Sequence, residues 1–144
     1  EWVTMENYLE LVPALAPLID NFKKKAKSNL RTKDIQNGML RTLVDPSFRV
    51  LVLSNESPIS YGIVQVTENL PWHPRTVHIL QGYCTPGYPE VTDMGMKEIE
   101  RWAKEIQATR LVAETKRSQD LHGFNKRLGL APMTVCIVKE LTGE

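Results

Sequence analysis

Cysteine is scarce in this chain: only Cys84 and Cys136 occur among 144 residues. Two thiols, each among apolar strand-forming neighbours, cannot make the disulfide framework of a small secreted domain. They read as free buried thiols in a reducing compartment. A bridge between neighbouring strands stays open, although the spacing does not ask for one. His73, His78 and His122 share no metal-ligand spacing with each other or with the cysteines, so no metal is expected. No apolar run approaches the roughly 18 to 20 residues of a membrane span. Glu1, Glu6 and Glu10 stand where a secretory leader would have a basic start, so no signal peptide is expected and a cytoplasmic location is. Neither sign of charge dominates, since 18 basic residues oppose 17 acidic ones. That balance gives no support to a nucleic-acid partner. Repeats, low-complexity tracts and linkers are lacking as well, so a single domain over 1–144 is expected.

What is there is a chain long enough, and apolar enough at 42%, to bury one real core. Its organising stretch is 76–130. TVHILQGYC reads as a strand, TPGYPE as a Pro/Gly turn, residues 91–107 as a long amphipathic helix, residues 109–116 as a strand, and residues 119–128 as a short helix stopped at Gly129. A strand, crossover helix and strand of this size form a βαβ unit with parallel strands. The turn at its head is where an open α/β sheet places an anionic ligand. Within the helix, Met96, Ile99, Trp102, Ala103 and Ile106 form the buried stripe and Thr92 or Asp93 is the expected cap. Gly95 in its first turns costs up to about 1 kcal/mol relative to Ala, which close packing would justify.

Upstream, residues 6–27 read as a helix or two helical pieces, with Pro13 and Pro17 interrupting the apolar stripe. Lys23, Lys24, Lys25 and Lys27 close it. Such a cluster complements the helix dipole as a solvated face, and phosphate or nucleic-acid binding is the alternative. A second helix is expected over 33–44, capped by Thr32 and stopped by Asp45-Pro46. Residues 48–67 read as a hairpin turning at Asn55-Glu56-Ser57-Pro58. Its first strand is apolar on both faces through Val50, Leu51, Val52 and Leu53, and should be central. Residues 68–75 form a loop in which Trp72 is a core plug or a ligand-facing aromatic, and residues 133–141 form a last strand. The fold class is α/β with a mixed sheet: mostly antiparallel, with a parallel βαβ core and helices on both faces.

This order resembles the GNAT superfamily of N-acetyltransferases, most clearly in EIERWAKEIQATRLVAETKRSQDLHGFNKRLGLAP. That segment is similar to the family's third helix, fifth strand and fourth helix, with Arg127-Leu128-Gly129-Leu130 at the usual corner. The hairpin at 48–67, with Gly62, is similar to the family's second and third strands. The resemblance implies a GNAT-like fold, acetyl-CoA as cofactor, and transfer of its acetyl group to an amine. It places the pyrophosphate loop on Gly87, Tyr88, Pro89, Glu90, Val91 and Thr92. There the family's glycine positions carry Tyr88, Glu90 and Thr92, and Pro89 removes an N–H donor. The family's tyrosine position falls on Asn125, after Phe124, which leaves Tyr83 and Tyr88 as candidate acids and Tyr61 as a more distant one. Candidate bases are Glu68, His78 and Glu114. The resulting site is Tyr83 and Glu114 for catalysis, with Tyr83, Cys84, Gly87, Tyr88, Thr92 and Asn125 holding the cofactor. The degenerate loop also resembles phage-encoded GNAT-like proteins, some of them virion components. That resemblance implies a second possibility, a catalytically inactive structural or interaction protein that binds a protein partner as an oligomer or larger assembly.

Overall fold

The structure is a computed structural model, and it describes residues 1–68 and 75–113. The order of elements is α1 (Tyr8–Ala14), α2 (Ala16–Ala26), α3 (Thr32–Met39), a 3-10 turn (Leu40–Leu43), β1 (Phe48–Asn55), β2 (Ser57–Thr67), β3 (Thr76–Cys84), α4 (Pro89–Glu105) and β4 (Arg110–Ala113). The sheet runs β1-β2-β3-β4. β1, β2 and β3 pair antiparallel, and β3 pairs parallel to β4 through α4. This is the mixed sheet with a βαβ core that the sequence pattern implies. The loop with Trp72 and His73, and everything from residue 114 on, lie outside the described residues. The expected short helix, the corner at Gly129, the last strand, His122 and Cys136 fall there.

Two apolar layers sandwich the sheet. On one face Leu11, Val12, Leu15, Leu18, Ile19, Ile35 and Met39 from α1–α3 pack on Val50, Val52 and Tyr61. On the other, Ile99, Trp102 and Ala103 from α4 pack on Leu51, Val64 and Val77. β1 is therefore buried on both faces at Val50, Leu51 and Val52, as expected. Among the described residues it is the end strand of the sheet and not a central one; its two-sided burial comes from α4 and the α1–α3 layer, which cover both its faces. Its outer side is not bare. Residues 1–3 run antiparallel along it, with the Val3 N–H bonded to the Val50 carbonyl at 2.9 Å and the Val52 N–H to the Glu1 carbonyl at 2.8 Å. The helical periodicity in the sequence starts at residue 6, and nothing before it signals this short pairing.

Of the two prolines, Pro13 lies inside α1, while Pro17 opens a fresh helix as expected. Pro17 sits in the first turn of α2, where a missing donor costs nothing, and α1 and α2 are separate helices. Two caps differ from expectation. Thr32 is the first residue of α3 and Arg31 is the flanking one; the Thr32 hydroxyl bonds to Asp20 on α2 instead. Helix α4 begins at Pro89 with Tyr88 before it, so Thr92 and Asp93 lie inside the helix rather than at its cap. Gly95 has the packing reason anticipated for it: a Cβ there would lie 3.2 Å from the Leu53 Cδ1.

Candidate functional site

A bulge in β3 builds the site. Ile63 pairs with Gln81 but the next residue, Val64, pairs with Ile79, so Leu80 is an extra residue in the ladder. A one-residue insertion turns every later side chain to the opposite face. Val77 and Ile79 accordingly pack under α4, while Tyr83 packs against the α1–α3 layer. Beyond the bulge β3 stays bonded to β2, through Ser60–Cys84 pairing and a 2.8 Å bond from the Thr85 N–H to the Ile59 carbonyl. Among the described residues, its pairing with β4 runs only from Thr76–Arg110 to Ile79–Ala113.

The chain then turns at Pro86-Gly87. Gly87 has φ +97°, a conformation that L side chains avoid and a turn of this kind requires. Tyr88 and Pro89 follow, and Pro89 takes the first helical position of α4. The Cys84 thiol reaches back over this turn, 3.5 Å from the Thr85 carbonyl oxygen and 3.6 Å from that of Tyr88. It is a free, half-buried thiol, so the side chain braces the turn. The first turn of α4 carries the exposed carboxylate of Glu90, and the Val91 N–H is used by the Tyr88 carbonyl at 3.1 Å. An acidic residue here already complements the helix dipole, and Pro89 has no N–H to give. These residues fit a phosphate cradle poorly.

Around Tyr83 the bulge assembles a polar group that residue order does not announce. Tyr61 lies directly opposite Tyr83 on β2 and is 3% exposed. Its hydroxyl accepts a 2.8 Å hydrogen bond from the Gln81 Nε2. Burial pushes the Tyr61 phenol well above the ordinary tyrosine value, against the opposing pull of the Gln81 bond. Lys25, from the end of α2, holds its Nζ 5.4 Å from the centre of the Tyr83 ring. Of the predicted site residues, the structure brings together Tyr83, Cys84, Gly87, Tyr88 and Thr92 around the β3–α4 junction. Glu114 and Asn125 lie outside the described residues. Tyr61, read as distant, is adjacent to Tyr83. Gln81 carries no signal in the sequence, and Lys25 stands out there only within the lysine cluster that ends α2. Gly82, beside the bulge in HILQGYC, was the one local signal for it, since glycine inside a strand pattern marks such irregularities.

Two candidate bases are placed elsewhere. The His78 Nε2 is 3.0 Å from the Thr67 hydroxyl, as a satisfied strand histidine. Glu68 pairs with Arg75 at 2.6 Å. Both sit where β2 ends and β3 begins, away from Tyr83. An open concavity of about 490 Å³ at that end is lined by Ser47, Arg49, Gln65, Glu68, Arg75 and Trp102, among others. Its charges are spoken for: Arg75 by Glu68 and the Ile106 carbonyl, and Arg49 by the Trp102 ring at 5.5 Å. Among the described residues no group of His, Cys, Asp and Glu could hold a metal, and no helix is long and apolar enough to cross a membrane.

Comparison with solved structures agrees with this architecture. A probable acetyltransferase superposes with a TM-score of 0.77 at 14% identity, over 100% of this chain and 98% of that one. The aminoglycoside 6'-N-acetyltransferase AAC(6')-IG from Acinetobacter haemolyticus gives 0.77 at 11% identity, over 100% and 98%. The aminoglycoside N-acetyltransferase AAC(6')-Iy, solved in complex with CoA, gives 0.75 at 8% identity, over 98% and 92%. No family model and no curated sequence matches the chain. The chain has the fold of the GNAT acetyltransferases, and it is a divergent example of that fold.

Proposed function

We propose that the chain is a GNAT-like N-acetyltransferase whose site lies where β3 and β4 part. The observation that carries this reading is the bulge at Leu80. It turns Tyr83 to the face opposite α4, at the end of β3 that leads into the head of α4. Acetyl-CoA would lie along the end of β3, its pantetheine amides bonding the backbone of Cys84 beside Tyr83, and it would pass Gly87, Tyr88 and Thr92 without a phosphate cradle from them. The acceptor nitrogen attacks the thioester carbonyl carbon. A C–N bond forms, the C–S bond breaks, the amine proton passes to a base, and Tyr83 returns a proton to the thiolate. Glu114, which directly follows β4, is the proposed base and Asn125 a further cofactor contact.

The test is release of free CoA thiol with an amine present. Tyr83→Phe and Glu114→Gln should each slow turnover at least about tenfold. Unchanged turnover in both variants removes these roles. A second reading, a GNAT-fold protein kept for binding a protein partner, is favoured by one observation. Glu90 places a carboxylate at the head of α4, where phosphates would lie.

A further inference from the structure

We propose that Lys25 makes this site select acceptor amines that carry an anionic group, a carboxylate or phosphate, and disfavour polycationic ones. The inference rests on the acetyl-transfer reading above and adds the acceptor class to it.

Three observations converge. First, the bulge at Leu80 turns the Tyr83 side chain to the α1–α3 face of the sheet, the face opposite α4. The head of α4, where a cofactor's phosphates are expected, is on the other face, so an acceptor meets Tyr83 from the α2 side. Second, the end of α2 stands on that approach, with the Lys25 ammonium 5.4 Å from the Tyr83 ring centre. Ring attraction stations an exposed cation there. Third, the charge at the end of α2 is one-sided. Lys23, Lys24, Lys25 and Lys27 crowd the end of α2, and no Asp or Glu occurs between Asp20 and Asp34. The two flanking acids are engaged: Asp34 with Arg31 at 2.9 Å, and Asp20 with the Thr32 hydroxyl, which also takes Lys23 at 3.4 Å. That leaves Lys25 as the cation directed at Tyr83.

An ammonium-rich acceptor must bring positive charge against Lys25 to reach Tyr83. An acceptor with its own anion pairs with Lys25 and delivers its amine beside the phenol.

The experiment compares O-phosphoethanolamine and β-alanine with spermidine, in wild type and Lys25→Glu. Binding is read from the Tyr83 ring resonances of isotope-labelled protein, assigned with Tyr83→Phe, so it requires no turnover. Wild type should show a saturable shift with the two anionic amines, at least tenfold tighter than with spermidine, and Lys25→Glu should abolish or invert that preference. Equal response to both classes, or a preference indifferent to Lys25→Glu, overturns the proposal. Acetyl-CoA is titrated in parallel. Weakening of its affinity in Lys25→Glu assigns the lysine to the cofactor's phosphates and also overturns it. Failure of the acetyl-transfer reading shows separately, as no acetyl-CoA binding in either protein.

Discussion

Tyr83 stands beside Tyr61 on the face of the sheet covered by α1–α3, although strand alternation from Val77 would put it under α4. One extra residue, Leu80, makes the difference. The pairing matters because it sets a buried phenol, Tyr61, next to a half-buried one at the mouth of the proposed site. Gln81 keeps the buried hydroxyl satisfied.

The Gln81–Tyr61 contact can be tested by stability alone. Gln81→Leu strands a buried hydroxyl acceptor, which should cost about 1–3 kcal/mol in urea unfolding. In a Tyr61→Phe background the same change should be close to neutral, because nothing is left to strand. Equal costs in both backgrounds would show that the bond does not matter.

Gly95 and Leu53 should be coupled. Ala at 95 gains up to about 1 kcal/mol of helix propensity, but its Cβ meets the Leu53 Cδ1 at 3.2 Å. Gly95→Ala should therefore yield less than about half of that gain in wild type, and most of it once Leu53→Ala removes the contact. A double-mutant cycle with no coupling energy would argue against this packing of α4 on β1.

Glu98 gives the fold a pH dependence. Its carboxylate accepts from the Arg101 guanidinium at 2.7 Å and from the Trp2 indole N–H at 2.9 Å, which hold it down to about 2. A carboxylate depressed in the folded state stabilises it fully above its unfolded value near 4.5, and the contribution is lost as pH falls toward about 2. Glu98→Gln should cost about 0.2–1 kcal/mol at neutral pH and flatten the decline in stability across that acid window. Fluorescence-monitored unfolding from pH 7 to pH 2.5 measures it. Parallel curves for the two proteins would contradict the assignment.

The elements that rest on periodicity were legible in the sequence. Ile99, Trp102 and Ala103 of the stripe pack on the sheet and Met96 is buried, the hairpin turns at residues 55–57, and TVHILQGYC is β3 without change of boundary. The site was legible only as a neighbourhood. The bulge depends on register between two strands, and only the pairing of Val64 with Ile79 reveals it. The Lys25–Tyr83 contact joins residues far apart in the chain, so the lysine run read as a solvated face. The bridge from Trp2 to Leu51 at the start is too short for any alternation to show.

Calorimetric titration of acetyl-CoA into wild type and Glu90→Gln tests the central claim most directly. If phosphates lie at the head of α4, wild type binds in the micromolar range. Removing the Glu90 carboxylate should then tighten binding roughly fivefold, the equivalent of about 1 kcal/mol for like charges some 4 Å apart near water. No heat of binding from either protein at millimolar acetyl-CoA would mean that the fold persists here without the acetyl-transfer site.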